Sequence, residues 1–180
     1  MILSLALMLQ AAQAPQPHPA PVPESFRASD PAKAVETFKS TCWSHLRDEA
    51  ALGEAAAIAP IAFRAQPHGT GPTHSWRALE GVLSYAADLP PGVPSPQCIL
   101  RLHLAAQADQ LALAARIAAA LALPSGRTRT GLAVSETQWD VPTSDARTTR
   151  LIVTTRNTAN GGSSLRFAAV LLAAAPASPQ

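Results

Sequence analysis

The sequence predicts an α+β domain with N-terminal helices, an antiparallel sheet of five to six strands, and a crossover helix packed on one face of that sheet. Three observations carry this reading. Residues 29–46, SDPAKAVETFKSTCWSHL, begin and repeat like a helix. Three strand-like runs, SWRAL, GVLSYAAD and CILRLHL, then follow between Gly/Pro-rich breaks. After an Ala/Leu-rich segment at 105–123, the last third turns to β-branched, alternating stretches. The resulting order is α-α-β-β-β-α-β-β-β.

Each element has a local reason. Asp30 is placed to cap the first helix, Pro31 suits its first turn, and Val35, Phe38, Cys42 and Leu46 recur on one face that must be buried. Asp48 heads a second, Ala-rich helix, EAALGEAAAIA, which Pro60 stops. IAFRAQPHGTGPTHS is a short extended piece and a loop. SWRAL and GVLSYAAD form a hairpin across Glu80-Gly81, and PPGVPSPQ is a rigid lead into CILRLHL. Residues 105–123 read as a helix on a sheet, with Asp109 and Arg116 aligned on its polar side and Pro124 and Gly126 ending it. RTRTGLAVSETQWDV, TTRLIVTTRN and, after Asn160-Gly161-Gly162, SSLRFAAVLLAAA give three more strands. In the second of these, Leu151, Val153 and Thr155 alternate with Arg150, Ile152, Thr154 and Arg156, the pattern of a sheet with one covered face. The connectivity is similar to profilin-like and PAS-like domains in element order.

Composition sets the domain plan and the compartment. Residues 1–14 read as a signal peptide, with the apolar run ILSLALMLQAAQA ending in Ala12-Gln13-Ala14. Residues 15–28 are a proline-rich linker, 29–175 a single domain, and 176–180 a disordered tail. A core of this size buries roughly two-thirds of its unfolded surface. Aromatic residues are only 4% of the chain, so each of Phe38, Trp43, Trp76, Tyr85, Trp139 and Phe167 carries much of the packing. Export implies a periplasmic or secreted protein, without a membrane span once the signal is removed.

The two cysteines, Cys42 and Cys98, are expected to form a disulfide in that compartment, stapling the first helix to a strand. A competing assignment takes Cys42-x-x-His45 and Cys98-x4-His103 as a zinc site, but positions 98 and 103 of a strand point to opposite faces. A cysteine nucleophile is disfavoured because Cys42 lies on the apolar stripe. No hydrolase signature or phosphate-binding glycine loop occurs, and no cofactor or metal is expected. Five arginines, Arg127, Arg129, Arg150, Arg156 and Arg166, fall in the last three strands and form a possible anion face for lipid headgroups, cell-wall polymers or an acidic protein. No aromatic residues interleave with them, which argues against single-stranded nucleic acid. The formal net charge, +2, implies no polyanionic partner by itself.

A leader, a helix bearing Phe38 and Cys42, Trp76 in the first hairpin, and Cys98 opening a strand resemble small uncharacterised exported proteins of Gram-negative bacteria. That resemblance implies export and a disulfide, with no activity attached. The leading functional expectation is therefore a non-catalytic exported interaction domain for a protein or an envelope component. One alternative is a cell-envelope hydrolase with a dispersed site, using His68, His74 or His103 with Asp88 or Asp140. Another is a small-ligand sensor with a pocket between sheet and helix, which the alanine-rich, aromatic-poor core makes less apt.

Overall fold

The structure, a computed structural model, describes residues 26–67, 71–159 and 161–173. The expected signal peptide, most of the linker, His68, Asn160 and the C-terminal tail lie outside the described residues. The elements run α1 (Pro31–Phe38), one π-helical stretch (Lys39–Trp43), α2 (Glu49–Ile58), β1 (Arg64–Ala65), β2 (Thr73–Arg77), β3 (Gly81–Ala86), β4 (Gln97–Leu104), α3 (Gln110–Leu121), β5 (Arg127–Thr130), β6 (Val134–Pro142), β7 (Thr148–Asn157) and β8 (Ser163–Leu172). The class is α+β, as expected.

The strand count differs from the expected five to six. One eight-stranded antiparallel sheet forms, in the order β1-β2-β3-β4-β8-β7-β6-β5, and it does not match the profilin-like or PAS-like comparison exactly. Two segments make the difference. The piece read as merely extended contributes β1, which pairs with β2 through Arg64 and Ala65. RTRTGLAVSETQWDV, read as one strand, folds back on itself as β5 and β6, with the Gly131 N–H donating to the Val134 carbonyl. A single glycine between β-branched runs is a weak turn signal, so the fold-back was hidden by continuous β propensity.

The helices begin where their caps sit. Asp30 accepts from the amides of Ala32 and Lys33, Asp48 from Ala51, and Asp109 from Leu111 and Ala112. Asp109 is thus the cap of α3 rather than a member of its polar face, and the helix starts five residues later than the composition of 105–123 implies. The first helix changes pitch after Phe38, where the Ser44 amide reaches back five residues to the Lys39 carbonyl. Thr41 donates to the Thr37 carbonyl there, and Thr37 in turn accepts from the Ile61 amide, so no buried hydroxyl is left over.

The helices cover one face of the sheet. Phe38 stacks on Phe167 of β8 with ring centroids 4.8 Å apart, and both are fully buried. Around them lie Val35, Leu52, Ile61, Leu83, Leu100, Leu102, Ile117, Leu151 and Leu165. Under α3 sits a polar inclusion. The buried Gln110 amide donates to the Thr137 hydroxyl and the Val153 carbonyl, and its carbonyl accepts from Thr155. Every member has a partner, so the group fixes the seat of α3 on β6 and β7 rather than weakening the core.

Cys42 and Cys98 are disulfide-bonded, with Cα atoms 5.4 Å apart. The bond ties the π-helical stretch to the start of β4, across a sequence separation of 56. Closing such a loop in the unfolded chain is worth about 4 kcal/mol in the chain-entropy picture. It is consistent with an oxidising compartment. Among the described residues no helix is long and apolar enough to cross a membrane.

Candidate basic sheet face

Among the described residues the second face of the sheet carries no helix, and strand register decides what it displays. Starting from Arg101 in β4, the directly paired positions are Arg166 in β8, Thr154 in β7, Glu136 in β6 and Arg129 in β5. In the other direction the same row passes through Val82 in β3, Arg77 in β2 and Arg64 in β1. Side chains alternate strictly in a strand, so this row fixes the facing of every other residue. The face contains all five arginines named from the sequence, Arg127, Arg129, Arg150, Arg156 and Arg166, and adds Arg64, Arg77 and Arg101. Its acidic residues are Glu136 and Asp140.

The result is a charge separation that the net charge conceals. Among the described strand residues, eight arginines and two carboxylates project from this face, a surplus of six positive charges. The remaining six basic and ten acidic residues leave the rest of the chain with an excess of four negative charges. No charged strand residue points to the helix-covered side.

Four of these arginines form two contrasting pairs, while Arg77 lies over the Phe26 ring. At the β5–β7 end, Asp140 accepts from Arg127 at 2.8 Å and from Arg150 at 2.7 Å, while Gln138 donates to the same carboxylate. Arg150 is the main cause holding the Asp140 carboxyl below its ordinary range. These two arginines are partly neutralised. Arg101 and Arg166 are not. They are direct cross-strand partners in the two central strands, and neither has a hydrogen bond or ion pair within reach among the described residues. Burial lowers the pKa of the Arg166 guanidinium, and the Arg101 charge lowers it further, against a smaller opposing pull from Glu136. Like charges placed directly opposite destabilise a sheet. Beside Arg101, a shallow cavity of about 220 Å³ is lined by Thr73, Ser84, Gln97 and Ile99.

Among the described residues the histidines do not assemble a site; His68 lies outside them. His103 lies on the uncovered face and stacks on Phe26 with centroids 5.7 Å apart, whereas His45 belongs to the helical layer. Both cysteine sulfurs are consumed by the disulfide, so the zinc set Cys42, His45, Cys98 and His103 is not brought together. His74 faces the helices and pairs with Glu49 of α2, beside a cavity of about 420 Å³ that Trp76 also lines. Asp140 serves the arginines, and Asp88 is exposed just beyond β3, at the opposite end of the β3–β4 hairpin from His103. A third cavity, about 500 Å³, opens between the starts of α1 and α3, lined by Ala28, Asp30, Ala105, Leu113 and Arg116.

Sequence reasoning missed Arg101, the residue that turns a scatter of basic side chains into a pair. CILRLHL was read for its apolar positions, and a lone arginine in that run carries no signal until its cross-strand neighbour is known. No known protein family, curated protein or solved structure matches the chain.

Proposed function

We propose that this protein is a non-catalytic binding domain, exported to the periplasm or secreted, whose anionic partner docks on the uncovered face of the sheet. The observation that carries the reading is the separation of charge: a sheet face with a surplus of six positive charges, opposite an apolar face of the same sheet. Arginine presents a planar donor fork suited to carboxylate, sulfate or phosphate oxygens, and a sheet holds several such forks at regular spacing. The disulfide and the apolar leader support export.

The test is retention of the oxidised protein on immobilised dextran sulfate at low salt. Retention should fall steeply as salt rises, and the double variant Arg129→Glu with Arg156→Glu should elute much earlier. Equal retention of the variant, or no retention of either protein, overturns the reading.

A second reading, the envelope hydrolase, is favoured only by the Glu49–His74 pair beside its cavity. A hydrolase screen comparing the native protein with His74→Ala tests it; activity lost in the variant would support it, and no activity in either would remove it.

A further inference from the structure

We infer that Arg101 and Arg166, with the adjoining cavity, form a subsite for the carboxylate-bearing sugar of an acidic polysaccharide. This rests on the proposed binding role of the uncovered face and narrows it to a ligand class.

The argument starts from a cost. Two guanidinium groups opposite one another in the central strands repel, and the partial burial of Arg166 beside the exposed Arg101 reduces the water that screens them. An anion lying between them turns repulsion into paired, charge-assisted hydrogen bonds. The neighbouring cavity determines what that anion is attached to. Thr73 and Ser84 supply hydroxyls, Gln97 supplies an amide, and the side of Ile99 gives an apolar patch, in about 220 Å³. Neutral donors and acceptors beside a small apolar surface suit a hydroxylated ring, with its carboxylate directed to the arginines.

Other polyanions fit this surface less well. Single-stranded nucleic acid needs successive stacking platforms, and among the described residues this face offers one aromatic pair, Phe26 on His103, with Arg77 already over the Phe26 ring. A lipid surface would favour several large apolar side chains able to enter it, but Ile99, Ile152 and Val170 are half-buried between strands, and Val134 at one edge is the exposed large apolar strand residue on this face among the described residues. An acidic protein would need a desolvated anchor pocket, and the cavity here is polar and shallow. Arg129 and Arg156, exposed on the same face, lie where further acidic units of a polymer would pass.

Calorimetric titration of the oxidised full chain with oligogalacturonate tests the inference, with dextran sulfate, phosphatidylglycerol vesicles and neutral dextran as comparators. Oligogalacturonate should bind. Arg101→Gln and Arg166→Gln should each weaken it at least tenfold, and Gln97→Ala several-fold, while Arg47→Gln on the helical side changes nothing. Gln97→Ala should leave dextran sulfate binding unaltered. Arg101→Lys keeps the charge but loses the fork, so full affinity in that variant overturns the bidentate subsite. Dextran sulfate and oligogalacturonate binding equally, with every variant tracking charge alone, overturns the sugar subsite but leaves the basic face standing. Preference for vesicles overturns the sugar in favour of a membrane, and failure of every polyanion to bind overturns both proposals.

Discussion

The two faces of this one sheet are built on opposite rules. On the covered side, alternate positions of β3, β4, β7 and β8 are Leu, Tyr, Cys, Val, Phe and Thr, and the polar atoms among them are paired. On the uncovered side, the intervening positions of the same strands hold Arg101, Arg150, Arg156 and Arg166. The covered face is optimised for stability. The uncovered face sets two like charges against each other in the middle of the sheet, with no hydrogen bond to either guanidinium among the described residues and only the weaker pull of Glu136 on Arg166. Repulsion is thus tolerated on one face while the buried side-chain polar atoms beneath the other are all paired among the described residues, and that asymmetry is what supports the binding role proposed above.

That contrast can be broken or sharpened by substitution. The largest effect should come from the staple on the covered side. Replacing Cys42 and Cys98 together by Ser, or reducing the protein, should remove about 4 kcal/mol of stability, read as a fall in the denaturation midpoint. An unchanged midpoint would mean that α1 is held by packing alone. Next is the polar inclusion under α3. Gln110→Ala leaves the buried hydroxyl of Thr155 without its acceptor and takes a donor from Thr137, and should cost about 2 kcal/mol in the same measurement. A near-neutral result would show that water replaces the amide.

On the uncovered side the sign should reverse. Arg101→Gln removes half of a repelling pair, and should raise the thermal midpoint slightly, corresponding to about 0.5 kcal/mol. A clear loss of stability would mean that Arg101 is structural and would erase the distinction between the faces. The smallest effect is the pH dependence of the ion pairs. Asp140 is held below its ordinary range by Arg150, and Asp145 by Arg47 and Thr143. Depressed carboxylate pKa values mean that these pairs contribute above about pH 4 and are lost as pH falls through the lowered folded values. Asp140→Asn should therefore lower the neutral plateau slightly and flatten the acid limb of a stability-versus-pH curve, leaving stability at the lowest pH unchanged. Because both carboxylates are substantially exposed, the amplitude should shrink further in high salt.

Much of the fold was legible from local chemistry. Asp30 and Asp48 cap the helices they were expected to cap, and the Val35, Phe38, Cys42, Leu46 stripe is buried throughout. β3, β4, β7 and β8 fall where alternation placed them. The misses were equally physical. β1 is two residues long and exists only because β2 offers it an edge, while β5 parts from β6 at a turn with one glycine. Asp109 has the right spacing for a polar helix face, yet it ends as a cap because residues 105–108 stay outside the helix.

By itself the sequence determined the helix starts, the buried stripe, the alternation of the central strands and the candidate disulfide, because each depends on a chain neighbour or, for the sulfurs, on there being one possible pair. The tertiary structure alone decided that every strand arginine shares one face, that Arg101 sits opposite Arg166, and that a polar cavity adjoins them. Those facts depend on register between strands far apart in the chain, and a shift of one residue in the β4–β8 pairing would have turned the arginines of one half into the core.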